Sequence, residues 1–252
     1  FTMTSTRTKL YTFGCSYTVE EYTHTVSGDV SFPRWPELLS EHLHLEYKNF
    51  GVSGAGNDQI FQHAINQIIN NHEDIKTVAI LWSGIFRFWI YGMNFNPNTT
   101  YRRGQARVDS LDWYYSMIEG SVFHSMLKGF RYPTQASEYQ ITVFVQNIIT
   151  LQKLCKHYNI KLTQWCGPNL LNIVYKGDWD GLVKQYNKIT LKYDIDDTNI
   201  IGWPFVSELG GNSFFDINKG MTISPLDSHP NAKGHELIAR YFYENTKCES
   251  KR

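Results

Sequence analysis

The sequence predicts an α/β fold, a three-layer α/β/α sandwich around a parallel sheet of five strands. Short apolar runs alternate with longer amphipathic stretches, which is the rhythm of strand and crossover helix. The run TVAILW (77–82) is apolar without alternation, as a strand covered on both faces must be. Glycine- and serine-bearing turns follow the apolar runs and end them sharply.

Taken in order, KLYTF (9–13) is the first strand and stops at Gly14-Cys15-Ser16. WPELLSEHLHL (35–45) has helical spacing, with Pro36 in the first turn, where a missing N–H costs little. LEYKNF (45–50) is a second strand. NDQIFQHAINQIINN (57–71) is an amphipathic helix with Ile60, Ala64, Ile68 and Ile69 on one face. TVAILW is the third strand. Residues 83–136 then break the rhythm: FRFWIYGMNFNPNTTYRRGQ is aromatic and turn-rich, and a short helix is expected around DWYYSMIEGSVFHSMLKGF. Alternation resumes with a long helix over 137–159, for which Ser137 is the candidate N-cap. IKLTQWC (160–166) is a strand, GLVKQYNKITLKY a helix, TNIIGW (198–203) a fifth strand, and NAKGHELIARYFYENT (231–246) a closing helix. With no repeat and no linker, residues 1–252 read as a single domain carrying a loop-rich insertion at about 83–136.

Lysine plus arginine equals aspartate plus glutamate at 24 each, so formal net charge is zero, which argues against duplex nucleic acid as a partner, since that usually requires a basic face. No apolar run is long enough to span a bilayer, and FTMTSTRTK contains no apolar signal-peptide core. The expectation is a soluble, cytoplasmic protein without nucleic-acid or membrane partners. Cys15, Cys155, Cys166 and Cys248 fit neither a zinc ribbon nor a dense disulfide framework, so reduced thiols are expected. The 15% of aromatic residues, many in loop-like segments, serve packing or a carbohydrate- or peptide-binding surface.

Open α/β sheets bind ligands beyond the carboxyl ends of their strands. Four polar clusters lie at or near those ends: Gly14-Cys15-Ser16, the loop Gly51 to Asn57, Trp82-Ser83-Gly84, and Asp227-Ser228-His229-Pro230. Together they hold a nucleophile candidate, glycine N–H groups, a hydroxyl and an acid–base pair, the inventory of an acyl-transfer site. Each has a plainer reading alone. Ser16 would cap a turn, Asn57 would cap a helix, and Arg87 would sit in an ion pair. The glycines of residues 51–56 lack the order of a dinucleotide loop, His42-x-His44 falls at a helix end, and Asp194, Asp196 and Asp197 read as a solvated loop.

FGCSYT resembles the first block of the SGNH (GDSL-type) hydrolases, with Cys15 where that family usually has aspartate. NFGVSGAGN is similar to their second block and DSHPNAKGHELIA to their last, so the ordered set runs from residue 9 to about 245. The resemblance implies a flavodoxin-like parallel sheet, Ser16 as nucleophile, His229 as general base and acid, and Asp227 as the group orienting it. It also implies an oxyanion hole from the Ser16 and Gly54 N–H groups, and no metal or organic cofactor. His235 falls within the last helix and is read as structural. Cys15 is the rival nucleophile, although the match of Ser16 implies a buried, inert thiol. Two departures stand out. The family's commonest acid position, three residues before the histidine, holds Leu226 here; related alginate-acetylating members use the shorter Asp-x-His spacing found here. The third-block Asn is absent from LWSGIFR, leaving Ser83 or Asn57 as third oxyanion donor.

The expected function is a serine esterase or deacetylase. It would hydrolyse an acyl ester, acetyl on a carbohydrate being the class carried forward, through an acyl-enzyme, with Arg87 meeting an anionic part of the substrate. Two alternatives stand beside it: an O-acyltransferase on the same site, and a non-catalytic carbohydrate-binding or virion-type module.

Overall fold

The computed structural model describes residues 7–24, 28–29, 31–85, 88–91, 105–108, 134–168, 170–171, 179–218, 220–225 and 227–247. Four strands build the parallel sheet: β1 (Lys9–Gly14), β2 (Glu46–Gly51), β3 (Ile75–Trp82) and β4 (Lys161–Cys166), in the order β2-β1-β3-β4. Gly14 lies level with Gly51 on one side and Leu81 on the other, so three strands end at one edge. That register delivers the loops after β1, β2 and β3 side by side.

The order is that of a flavodoxin-like sheet whose fifth position is only sketched. Residues 198–203 form no regular strand; Ile200 makes a single parallel bridge to Gln164, and the Ile201 N–H donates to the Gln164 carbonyl. The reason is local. A 3₁₀ turn capped by Asp196 occupies Asp197–Asn199, and Gly202 turns the chain at φ +69°. Two residues remain for pairing.

Helices α1 (Trp35–Leu43) and α6 (Ala232–Lys247) pack together on one face of the sheet, where Trp35 stacks on Phe242 at 4.7 Å. Helices α2 (Asn57–Asn71), α3 (Thr134–His157) and α4 (Trp179–Thr190) cover the other, where Phe144 of α3 meets Trp82 edge-on. Trp82 and Trp165, on adjacent strands, are fully buried between these layers. Sequence spacing gives α2 its bounds, but Ile69 is 46% exposed and off the buried stripe of Ile60, Ala64 and Ile68. Helix α3 starts at Thr134, so Ser137 lies inside its first turn and is not its N-cap. Nothing in TQA resists helix, and the helix reaches back to the residue after Pro133.

A short helix, α5 (Phe214–Ile217), and an antiparallel pair, β5 (Thr222–Ser224) and β6 (Asp227–Pro230), precede α6. Two further small pairs join Thr23–His24 to Gly28–Asp29 and Phe88–Tyr91 to Gln105–Val108. The second falls in the predicted insertion, most of which, with the short helix expected there, lies outside the described residues. Cys15, Cys155 and Cys166 are buried free thiols, and Cys248 lies outside the described residues; burial pushes Cys155 up to about 12. No described helix is long and apolar enough to cross a membrane.

Candidate active site

The first strand ends at Gly14 because the chain must fold back over its own tip. A Cβ on Gly14 would lie 2.0 Å from Thr18 Oγ1 and 2.9 Å from the Leu81 carbonyl. Only glycine allows that approach. The Thr18 N–H then donates to the Cys15 carbonyl at 2.8 Å, closing a tight turn around Ser16 and Tyr17. Cys15 is 1% exposed and belongs to the core cluster. Ser16, one residue later, turns the other way.

The Ser16 hydroxyl donates to His229 Nε2 at 2.8 Å, across more than two hundred residues of sequence. On the far side of the ring, His229 Nδ1 lies 2.7 Å from Asp227 Oδ1. The Asp-x-His spacing works because both residues lie on β6, where positions i and i+2 share a face. The His229 backbone N–H also donates to Asp227 Oδ1 at 3.1 Å, which fixes the carboxylate against its own strand. Tyr17 completes the brace: its hydroxyl donates to the Ser228 carbonyl at 3.0 Å and its ring meets His229 edge-on at 5.1 Å.

These contacts select a tautomer. A carboxylate can only accept, so Nδ1 carries the hydrogen and Nε2 presents its lone pair to the Ser16 hydroxyl. The Asp227 side chain is sealed from solvent while the His229 side chain is 22% exposed, so the carboxylate lies inside and the imidazole reaches the surface. That arrangement can deprotonate a serine and hold the imidazolium that results.

The loop after β2 supplies donors. The Val52 N–H donates to the Gly14 carbonyl and the Ala55 N–H to the Val52 carbonyl, curling residues 52–55 beside the Ser16 turn. Gly54 sits at φ +79°, a left-handed conformation glycine adopts without strain. Among the described residues, neither the Ser16 nor the Gly54 N–H has a backbone acceptor.

Asn57 is the first residue of α2, and Gly56 is the cap. Its amide grips the end of β3 twice: Oδ1 accepts from the Ser83 N–H at 2.8 Å and Nδ2 donates to the Ser83 carbonyl at 3.0 Å. One Nδ2 hydrogen remains beyond that pair. Ser83 Oγ is fully buried and, among the described residues, has no hydrogen-bond partner. Arg87 and Leu226 lie outside the described residues.

His235 is structural, as the sequence implied. It is 1% exposed, its Nδ1 accepts from the Trp35 N–H at 3.1 Å, and Arg34 Nη1 lies 2.9 Å from its Nε2. Burial first, then the charge of Arg34 and the neighbouring His229, lowers its pKa to about 3. His42 and His44 are exposed at the end of α1, and Asp194, Asp196 and Asp197 line the loop after α4. No group of three or more metal-ligating side chains occurs among the described residues.

Sequence reading missed Tyr22. Its hydroxyl lies 2.6 Å from His229 Nδ1 and donates to both Asp227 oxygens at 3.4 Å. The only signal was a tyrosine six residues after Ser16 in an irregular loop, where no periodicity says which way a side chain points.

No protein-family model matches the chain, and no curated protein matches it. Solved structures do. The psychrotrophic esterase EstA from Pseudoalteromonas sp. is similar over 97% of this chain and 100% of its own, at 13% identity and a TM-score of 0.48. Axe2, an acetylxylan esterase from Geobacillus stearothermophilus, is similar over 95% of this chain and 94% of its own, at 14% identity and a TM-score of 0.46. A member of the lipolytic protein G-D-S-L family from Veillonella parvula is similar over 94% and 96%, at 14% identity and a TM-score of 0.39.

Proposed function

We propose that this chain is a serine esterase of the SGNH type, cleaving an acyl ester through a covalent acyl-enzyme. The observation that carries the reading is the unbroken line Ser16 Oγ–His229 Nε2–Nδ1–Asp227 Oδ1 at 2.8 and 2.7 Å. A serine that merely capped its turn would not need a histidine and a buried carboxylate aligned behind it.

The geometry supports the following steps. Ser16 Oγ attacks the ester carbonyl as its proton passes to His229 Nε2, and Asp227 stabilises the imidazolium. The tetrahedral oxyanion is taken by the Ser16 and Gly54 N–H groups. For the third donor we assign the remaining Nδ2 hydrogen of Asn57, because its amide is already aimed by two bonds to Ser83. Ser83 Oγ is sealed off and would first have to rotate. Collapse returns the proton from Nε2 to the leaving alcohol. Water, deprotonated by the same nitrogen, then releases the acid and restores the Ser16 hydroxyl.

An acetylated carbohydrate is the substrate class we carry forward. It rests on the aromatic richness of residues 83–136, since amphipathic rings suit sugar faces. A fluorophosphonate probe tests the reaction and acetate release from acetylated polysaccharide tests the class. A mass adduct on Ser16 is expected. Its absence from folded protein overturns the esterase reading in favour of a non-catalytic module, and acetyl transfer to an added sugar would make the enzyme a transferase.

A further inference from the structure

We propose that Tyr22 is a positioning residue of the catalytic pair, holding the His229 ring and the Asp227 carboxylate in one arrangement through its hydroxyl. The inference rests on the esterase reading for its catalytic meaning, but its geometry stands alone. Tyr22 Oη, His229 Nδ1 and Asp227 Oδ1 form a closed triangle with edges of 2.6, 2.7 and 3.4 Å. Nδ1 carries the hydrogen, so Tyr22 Oη accepts a share of it. The phenol hydrogen then points at Asp227, whose carboxylate oxygens lie 3.4 Å away. The Tyr22 ring lies over the imidazole at 4.3 Å, closing the face through which the ring could tilt.

Tyr22 is itself held in place. The Arg34 guanidinium carbon lies 5.7 Å from its ring centre, and Arg34 Nε donates to the Glu20 carbonyl two residues before it. Arg34 is 5% exposed and reaches the buried His235 of α6. The loop after β1, the start of α1 and the start of α6 therefore meet behind the catalytic pair. The charged and titratable groups facing it are Asp227 on its own strand, Tyr17 and Tyr22 from the loop after β1, Arg34 before α1 and His235 from α6. Burial, then the charge of Asp227, holds the Tyr22 phenol well above its ordinary pKa, so it stays neutral wherever His229 titrates.

The sign of its effect follows from the distances. The contact to Nδ1 is short and favours the imidazolium; the donation to Asp227 is long and only weakly tempers the carboxylate. Removing the hydroxyl should leave the imidazolium less stable. Tyr22→Phe is expected to lower kcat about tenfold with KM nearly unchanged, the lower end for a lost bond to a charged group. The acid limb of the rate profile should move down by about half a unit to one unit. Replacement of Tyr22 by 3-fluorotyrosine, which keeps ring and hydroxyl but accepts more weakly, should fall between.

The test pairs kcat, KM and fluorophosphonate labelling rate with an NMR titration of the His229 Cε1–H, which needs no turnover. A downward shift of the His229 titration in Tyr22→Phe, with a graded shift in the fluorotyrosine protein, supports positioning even if no ester is cleaved. Unchanged titration and unchanged kcat in a folded Tyr22→Phe protein overturn it. A lowered melting temperature with an unmoved titration also overturns it, because the ring would then serve packing alone.

Discussion

Replacing Asn57 by alanine tests the oxyanion assignment, and the structure sets the size of both effects. The side chain is about nine-tenths buried or more, and its amide makes two bonds to Ser83, at 2.8 and 3.0 Å. Alanine leaves the Ser83 N–H and carbonyl facing a gap. Each unpaired buried group costs about 1–3 kcal/mol, and among the described residues the carbonyl keeps a long contact to the Cys166 thiol at 3.9 Å, so a loss of about 2–4 kcal/mol is expected. That is below the ~5–15 kcal/mol of an ordinary domain, so the variant should fold. Losing one oxyanion donor costs about 10²–10³ in kcat, because the bond tightens only as charge develops on the oxygen. KM should change little. Ser83→Ala is the internal control: it deletes a hydroxyl that has no partner among the described residues and leaves the backbone that Asn57 grips. It should keep kcat within about threefold and raise stability slightly, since an unpaired buried hydroxyl is itself unfavourable. Urea unfolding and steady-state kinetics on a short-chain aryl ester read both quantities. A folded Asn57→Ala enzyme with wild-type kcat, or a Ser83→Ala enzyme slowed a hundredfold, would refute the assignment and in the second case make Ser83 the donor.

Ser16→Ala should abolish ester hydrolysis while leaving the urea midpoint near wild type, and Cys15→Ala should retain activity; the reverse outcome would transfer the nucleophile to the thiol. His229→Ala should lower kcat by about 10⁴–10⁶ and Asp227→Asn by about 10²–10⁴, measured on the same ester. The wild-type rate should fall as acid protonates His229, since only a neutral ring accepts the serine proton; a rate flat between pH 5 and 8 with chemistry limiting would contradict this. His235 predicts a pH effect on stability instead. Its ring titrates near 6.5 unfolded but is lowered to about 3 when folded, so the stability it contributes is whole above pH 6.5 and drains as pH falls towards 3. Between pH 7 and 5 the wild type should lose about 2 kcal/mol more than His235→Asn in urea titrations, and parallel losses would disprove it.

Local pattern made most of the architecture legible. TVAILW could only be a covered strand, and the spacing of Ile60, Ala64 and Ile68 could only be a helix face, because each signal lies within a few residues. The same locality explains the errors. Whether TNIIGW pairs as a strand depends on how soon the chain must turn to meet distant groups, and Gly202 and the Asp196 cap turned it after one bridge.

Ser16, His229 and Asp227 were legible as residue types in blocks, and the Asp-x-His spacing carried its own geometry once it lay on a strand. What only the tertiary structure decided is who stands behind them. Asn57 could have been a helix cap, and it instead grips Ser83 on another loop. Tyr22 had no periodic neighbourhood to orient it, and it became a partner of His229 through a separation of 207 residues. The two histidines of HPNAKGH are chemically identical in sequence; folding puts one beside a carboxylate at the surface and buries the other against a guanidinium. A side chain's type and period are local properties, but its charge state and its partners depend on which distant surfaces the sheet brings together.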